Sequence, residues 1–91
     1  MPFYIYIIYS NKTNKYYTGY CENIASRLKK HNSKSTISTK SGIPWILIYS
    51  EVFETKTEAI IRENQIKRMK SRKYIEELIR NTNYRSNAVK G

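Results

Sequence analysis

The chain has no aspartate; its seven acids are the glutamates Glu22, Glu51, Glu54, Glu58, Glu63, Glu76 and Glu77. It has one cysteine, Cys21, and one histidine, His31. A zinc centre with four protein ligands therefore has almost nothing to be built from, and the Cys/His spacings that mark such centres are absent. A single cysteine excludes an internal disulfide, in keeping with a reducing cytoplasm. A hard cation held by one carboxylate and water stays open. The longest apolar run, Tyr4 to Tyr9, is too short to span a bilayer, and no charged-then-apolar leader precedes it. The expectation is a soluble, cytoplasmic protein with no membrane partner. No dinucleotide glycine motif, P-loop or internal repeat is found.

What is abundant is positive charge: Lys and Arg total 17, for a net charge of +10 and a pI near 9.8. A polyanion, nucleic acid above all, is the expected partner; a merely basic surface or attraction to anionic lipid are the competing readings. The 91 residues suit one domain. Residues 1–80 read as its folded part, and 81–91, with little apolar content, read as a mobile basic tail.

Phe3 to Tyr9 consists wholly of aromatic and β-branched residues, the types that suit a pleated, half-buried surface. Ser10 to Asn14 has turn composition, and Tyr17-Thr18-Gly19 opens the second arm of a hairpin. Alternation puts Tyr4, Tyr6 and Ile8 on one face and Tyr17 with Gly19 on one face of the second strand. A register that brings Tyr6 and Tyr17 to the same side would set two phenols beside a glycine that leaves room for a ligand backbone. Cross-strand tyrosine packing explains the same pattern without chemistry.

Asn23 caps a helix running to about Asn32, with Ile24, Leu28 and His31 on one stripe and Arg27 at its edge. Arg27 reads either as a solvated charge or as a cation reaching over the sheet. His31 reads as a general base, a phosphate contact or a helix C-terminal residue stabilised by the macrodipole. The polar stretch Asn32 to Pro44 reads as a surface loop, with Lys34 and Lys40 placed to touch phosphates. Trp45 to Phe53 returns to strand composition, central or next to central.

Thr55 or Thr57 caps a second helix to about Lys70, with Glu58 at capping-box spacing from Thr55. On a helical wheel Ala59, Ile66 and Met69 cluster, and Glu63 falls between Ala59 and Ile60, leaning partly inward. Its partner is either Lys67, one turn on, or a bound metal ion. Arg62, Lys67, Arg68 and Lys70 make this helix basic. A third helix is expected from Ser71 to Arg80, with Tyr74, Ile75, Leu78 and Ile79 as its apolar face.

The ordered set Tyr4-Ile5-Tyr6, Tyr17-Thr18-Gly19, Arg27 with His31, and Glu63 within Arg62-Glu63-Asn64-Gln65-Ile66-Lys67 resembles the GIY-YIG nuclease superfamily, especially its small stand-alone members. The likeness covers about Pro2 to Ile79. It departs from the pattern at Tyr4, where the family has glycine, and at Thr18, where isoleucine or valine is commoner. The resemblance implies an α+β fold, a three-stranded antiparallel sheet flanked by three helices, carrying a metal-dependent endonuclease site. It implies that Tyr6 and Tyr17 are the paired tyrosines, Gly19 the closing glycine of the second motif, Arg27 the arginine at the scissile phosphate, His31 a histidine shared by several branches, and Glu63 the ligand of one Mg²⁺ or Mn²⁺. The implied substrate is nucleic acid, DNA in the first instance, met by Gly19, Lys34, Lys40, Arg62, Lys67, Arg68 and Lys70; a homodimer is compatible with so small a domain. The alternatives are a non-catalytic nucleic-acid-binding module of the same fold, and a structural or protein-interaction domain in which Tyr6, Tyr17 and Glu63 only pack.

Overall fold

The computed structural model describes the backbone of residues 2–33 and 37–90, and side-chain surroundings for 2–33 and 39–81. Strands β1 (Phe3–Ser10) and β2 (Lys15–Cys21) form the expected hairpin. Helices α1 (Ile24–His31) and α2 (Ile37–Lys40) precede β3 (Trp45–Phe53), which is followed by α3 (Lys56–Met69) and α4 (Arg72–Lys90). The sheet is antiparallel throughout, in the order β2-β1-β3. The central strand is therefore β1, and β3 is an edge strand beside it. Pairing on both edges and helices on both faces leave Ile5, Ile7 and Ile8 with no exposed surface, which is why β1 needs an unbroken apolar run.

At the hairpin tip Asn14 takes a left-handed conformation, φ 57°, and its amide donates to the Ser10 carbonyl at 2.8 Å. Asparagine tolerates that region better than most residues. The register opposes Tyr6 to Gly19 and Ile8 to Tyr17, so all four share a face. On this face Tyr6, Ile8, Cys21 and Trp45 form a buried cluster under Ile24 and Leu28 of α1. On the opposite face Ile5, Ile7 and Tyr49 pack against Ala59 and Ile66 of α3, with Tyr74, Ile75, Leu78 and Ile79 of α4 around them.

Local chemistry fixes the helix starts. Asn23 accepts from the Ser26 amide at 2.9 Å, and Thr55 forms a complete capping box with Glu58. Helix α3 is clasped to the sheet by Arg62, whose Nε and Nη2 donate to the two Glu51 oxygens at 2.9 and 3.0 Å while Nη1 donates to the Tyr74 hydroxyl at 3.2 Å. Tyr49 also donates to Glu51.

Three features depart from the sequence reading. Residues 32–44 are not simply a surface loop: they carry α2, and Thr39 is fully buried. Asn32 ties the end of α1 to β3 by accepting from the Trp45 amide at 2.6 Å and donating to its carbonyl at 3.1 Å. Helix α4 runs past Arg80, since no proline or glycine interrupts the chain before Gly91. Met69 is 53% exposed rather than part of the core, because α3 ends at that residue.

Candidate active site

Tyr6 and Tyr17 project from neighbouring strands with ring centroids 6.5 Å apart. His31, the last residue of α1, closes a triangle with them at 5.8 Å from Tyr6 and 4.9 Å from Tyr17. The Tyr6 hydroxyl and His31 Nε2 are hydrogen-bonded at 2.9 Å, and His31 Nδ1 lies 3.0 Å from Thr39 Oγ1. Thr39 is held in turn, its carbonyl accepting from Trp45 Nε1 at 2.7 Å. A buried chain Tyr6–His31–Thr39 thus links the sheet, α1 and α2.

Burial, reinforced by Tyr17, pushes the Tyr6 phenol well above the ordinary tyrosine range. Burial, followed by the charges of Arg27 and Lys30, holds His31 below the ordinary histidine value. The result is a neutral phenol bonded to a neutral imidazole. At 2% exposure His31 is too deep to meet a phosphate directly, so of its three expected roles the phosphate contact is closed.

Gly19 sits directly across from Tyr6, and a Cβ there would lie 2.6 Å from the Tyr6 hydroxyl oxygen and 2.8 Å from Cζ. The glycine makes the slot that the phenol fills, rather than a surface for a ligand backbone.

Arg27 stands exposed on α1, near enough for its charge to favour ionisation of both the Tyr6 phenol and the Cys21 thiol, although burial dominates and raises both. Glu63 approaches from α3. Its side chain is 12% exposed, and its carboxylate meets Lys67 Nζ at 3.0 Å. Its charge also reaches the Tyr6 phenol, disfavouring ionisation. Lys67 Nζ lies 6.0 Å from the Tyr17 ring centroid. Helix α3 packs on the Ile5/Ile7 face of the sheet while Tyr6 and Tyr17 belong to the other, and it is Lys67 that comes alongside Tyr17.

Among the described residues no three His, Cys, Asp or Glu side chains gather to hold a metal ion. The donor chemistry at Glu63, one carboxylate, fits an ion that keeps most of its waters, as magnesium does, and does not fit zinc. Of the remaining expected contacts, Lys40 is exposed at the end of α2 and Arg68 on α3. Lys67 and Lys70 line a cleft with Lys15 and Arg72 between β2 and the α3–α4 junction. Arg62 is corrected: both faces of its guanidinium fork are engaged with Glu51 and Tyr74, which makes it a structural clasp and leaves it unsuited to phosphate. Lys34 lies outside the described residues.

Thr39 was not legible in the sequence, since a buried threonine in a polar stretch leaves no periodic trace. No helix among the described residues is long and apolar enough to cross a membrane.

A family model described as the GIY-YIG catalytic domain matches residues 2–75. The chain is 42% identical over 78 residues to a UPF0213 protein of Staphylococcus haemolyticus, covering 81% of this chain and 94% of that protein. It is 44% identical over 78 residues to a UPF0213 protein of Staphylococcus saprophyticus, with the same coverage. The solution NMR structure of a UPF0213 protein from Bacillus halodurans superimposes with a TM-score of 0.55 at 34% identity, over 87% of this chain and 83% of that one. With the sheet order, the paired phenols and this match over most of its length, the chain belongs to the GIY-YIG family.

Proposed function

We propose that the protein is a metal-dependent endonuclease that hydrolyses phosphodiester bonds in DNA. The observation that carries this reading is the buried Tyr6 phenol packed against Tyr17 and bonded to His31, in a chain that the GIY-YIG catalytic domain model matches over residues 2–75. Hydrolysis needs a nucleophilic water, a cationic partner for the phosphate oxygens and stabilisation of the leaving alkoxide.

Arg27, exposed and permanently charged, presents a planar fork to the phosphate oxygens. Glu63 would hold one Mg²⁺ or Mn²⁺, and the chemistry supplied there is charge neutralisation at the phosphate and the leaving oxygen. Tyr6 is a poor base alone, because burial opposes its ionisation. Tyr6, hydrogen-bonded to His31 Nε2 and as buried as that ring, is held in place and packs against Tyr17, and the half-buried Tyr17 is the phenol that meets the water. His31 thus acts through Tyr6 as a positioning residue, and Tyr17 orients the water.

The ion pair between Lys67 and Glu63 favours a second reading, in which Glu63 is structural and the domain only binds nucleic acid. Nicking of supercoiled plasmid with Mg²⁺ or Mn²⁺ separates them. Cleavage by wild type, reduced about 100-fold or more by Glu63→Ala, is the expected result. Salt-sensitive binding with no cleavage in either metal, unchanged in Glu63→Ala, would leave the binding module instead.

A further inference from the structure

Lys67 occupies a position between two features described separately above. Its ammonium is paired with the nearly buried Glu63 carboxylate at 3.0 Å, while its side chain is 51% exposed and stands on the wall of the cleft that also holds Lys15, Lys70 and Arg72. We propose that Lys67 is a resident counter-ion of Glu63, displaced when a divalent cation binds there and released into the cleft to meet a phosphate of the substrate. The inference rests on Glu63 as the metal ligand.

A carboxylate as enclosed as Glu63 needs a positive partner at all times. In the absence of metal Lys67 supplies it. A half-exposed ammonium is held weakly, so a divalent ion can replace it at little cost. Once displaced, the side chain faces a cleft lined by Lys15, Lys70 and Arg72 with Tyr16 and Tyr17, beside which the Glu76 carboxylate is already engaged by Arg72 and Tyr16. A phosphate arriving there would meet a surplus of positive charge. Arg72 is less available for that contact, since it donates to the Asn14 carbonyl at 2.9 Å and to Glu76 at 3.2 Å. Metal and nucleic acid would then each favour the binding of the other, as linkage requires.

Two measurements test this. In the first, Mn²⁺ binding to the protein without nucleic acid is followed by electron paramagnetic resonance. Lys67→Met is expected to bind Mn²⁺ about two- to five-fold more tightly, the exchange equivalent of an exposed ion pair. Lys67→Arg should behave as wild type, and Lys70→Met, which loses the same charge from the same cleft, should also be unchanged. Equal affinity in Lys67→Met and wild type, or an equal gain in Lys70→Met, would overturn the proposal. Mn²⁺ binding that is insensitive to Glu63→Gln would remove the metal reading itself, and the proposal with it.

The second measurement uses no metal. In EDTA, the dependence of oligonucleotide affinity on salt reports the number of phosphates contacted. Glu63→Gln frees Lys67 and should steepen the log–log slope by about 0.7–0.9, the increment for one further phosphate. Glu63→Gln with Lys67→Met should return to the wild-type slope, and Glu77→Gln, a charge-matched change at an exposed position, should not alter it. The same steepening in Glu77→Gln, or its persistence in the double variant, would overturn the release step.

Discussion

Replacing Gly19 with alanine tests the slot on which the candidate site is built. The added methyl would lie 2.6 Å from the Tyr6 hydroxyl oxygen, 2.8 Å from Cζ and 3.1 Å from Cε1. These atoms belong to a ring that is 2% exposed and tied to His31, so it cannot swing into solvent. Either β2 moves outward or the ring leaves its hydrogen bond. Overpacking of this kind costs about 1–3 kcal/mol. Loss of glycine from the unfolded chain returns about 0.4–1 kcal/mol. No described glycine has positive φ, so no backbone penalty is added at Gly19. The difference spans about 0–2.6 kcal/mol, and because the buried, hydrogen-bonded ring cannot yield, the overpacking cost falls at the upper end, giving a loss of about 1.5–2.5 kcal/mol, read in urea unfolding as a lower midpoint at unchanged slope, or as a fall in Tm of about 5–20 °C. Tyr6→Phe removes the closest of the three contacts, so the double variant Gly19→Ala/Tyr6→Phe should lose at least about 0.5 kcal/mol less than the two single losses combined. Gly19→Ala within about 0.5 kcal/mol of wild type, or strict additivity in the cycle, would refute a filled slot.

Two other outcomes are expected. His31 is buried neutral with its pKa below the ordinary value of 6.5, so the unfolded chain takes up a proton before the folded one does. Its contribution to stability is therefore complete above pH 6.5 and lost as pH falls from 6.5 toward the lowered folded pKa. Urea midpoints at pH 7.5 and 5.5 should differ more in wild type than in His31→Gln, and an equal pH dependence in both would count against a buried neutral imidazole. Arg62→Met should cost about 1–3 kcal/mol by removing two hydrogen bonds to the Glu51 carboxylate and one to Tyr74, and a stability equal to wild type would show that the clasp between α3 and β3 contributes nothing.

The sheet and the two capped helices were legible because their signals are local. An unbroken apolar run marks β1, and Asn23 and Thr55 with Glu58 mark helix starts by side-chain chemistry. The shared face of Tyr6 and Tyr17 followed from strand alternation once the register was known, and the turn from Ser10 to Asn14 sets that register. What the sequence hid are contacts made at long range by residues without a pattern. Thr39 is buried by Trp45 and His31, partners six and eight positions away that belong to other elements. Arg62 looks like one more surface cation until β3 brings Glu51 beside it. For Glu63 the wheel gave the inward lean and offered Lys67 as one of two partners, and Lys67 holds the carboxylate.

The most direct test of the central claim is the anomalous difference density of a crystal soaked in Mn²⁺. A peak beside the Glu63 carboxylate with Lys67 displaced is the expected result. A fully occupied Lys67–Glu63 ion pair with no peak there, or manganese bound only at other glutamates, would contradict it.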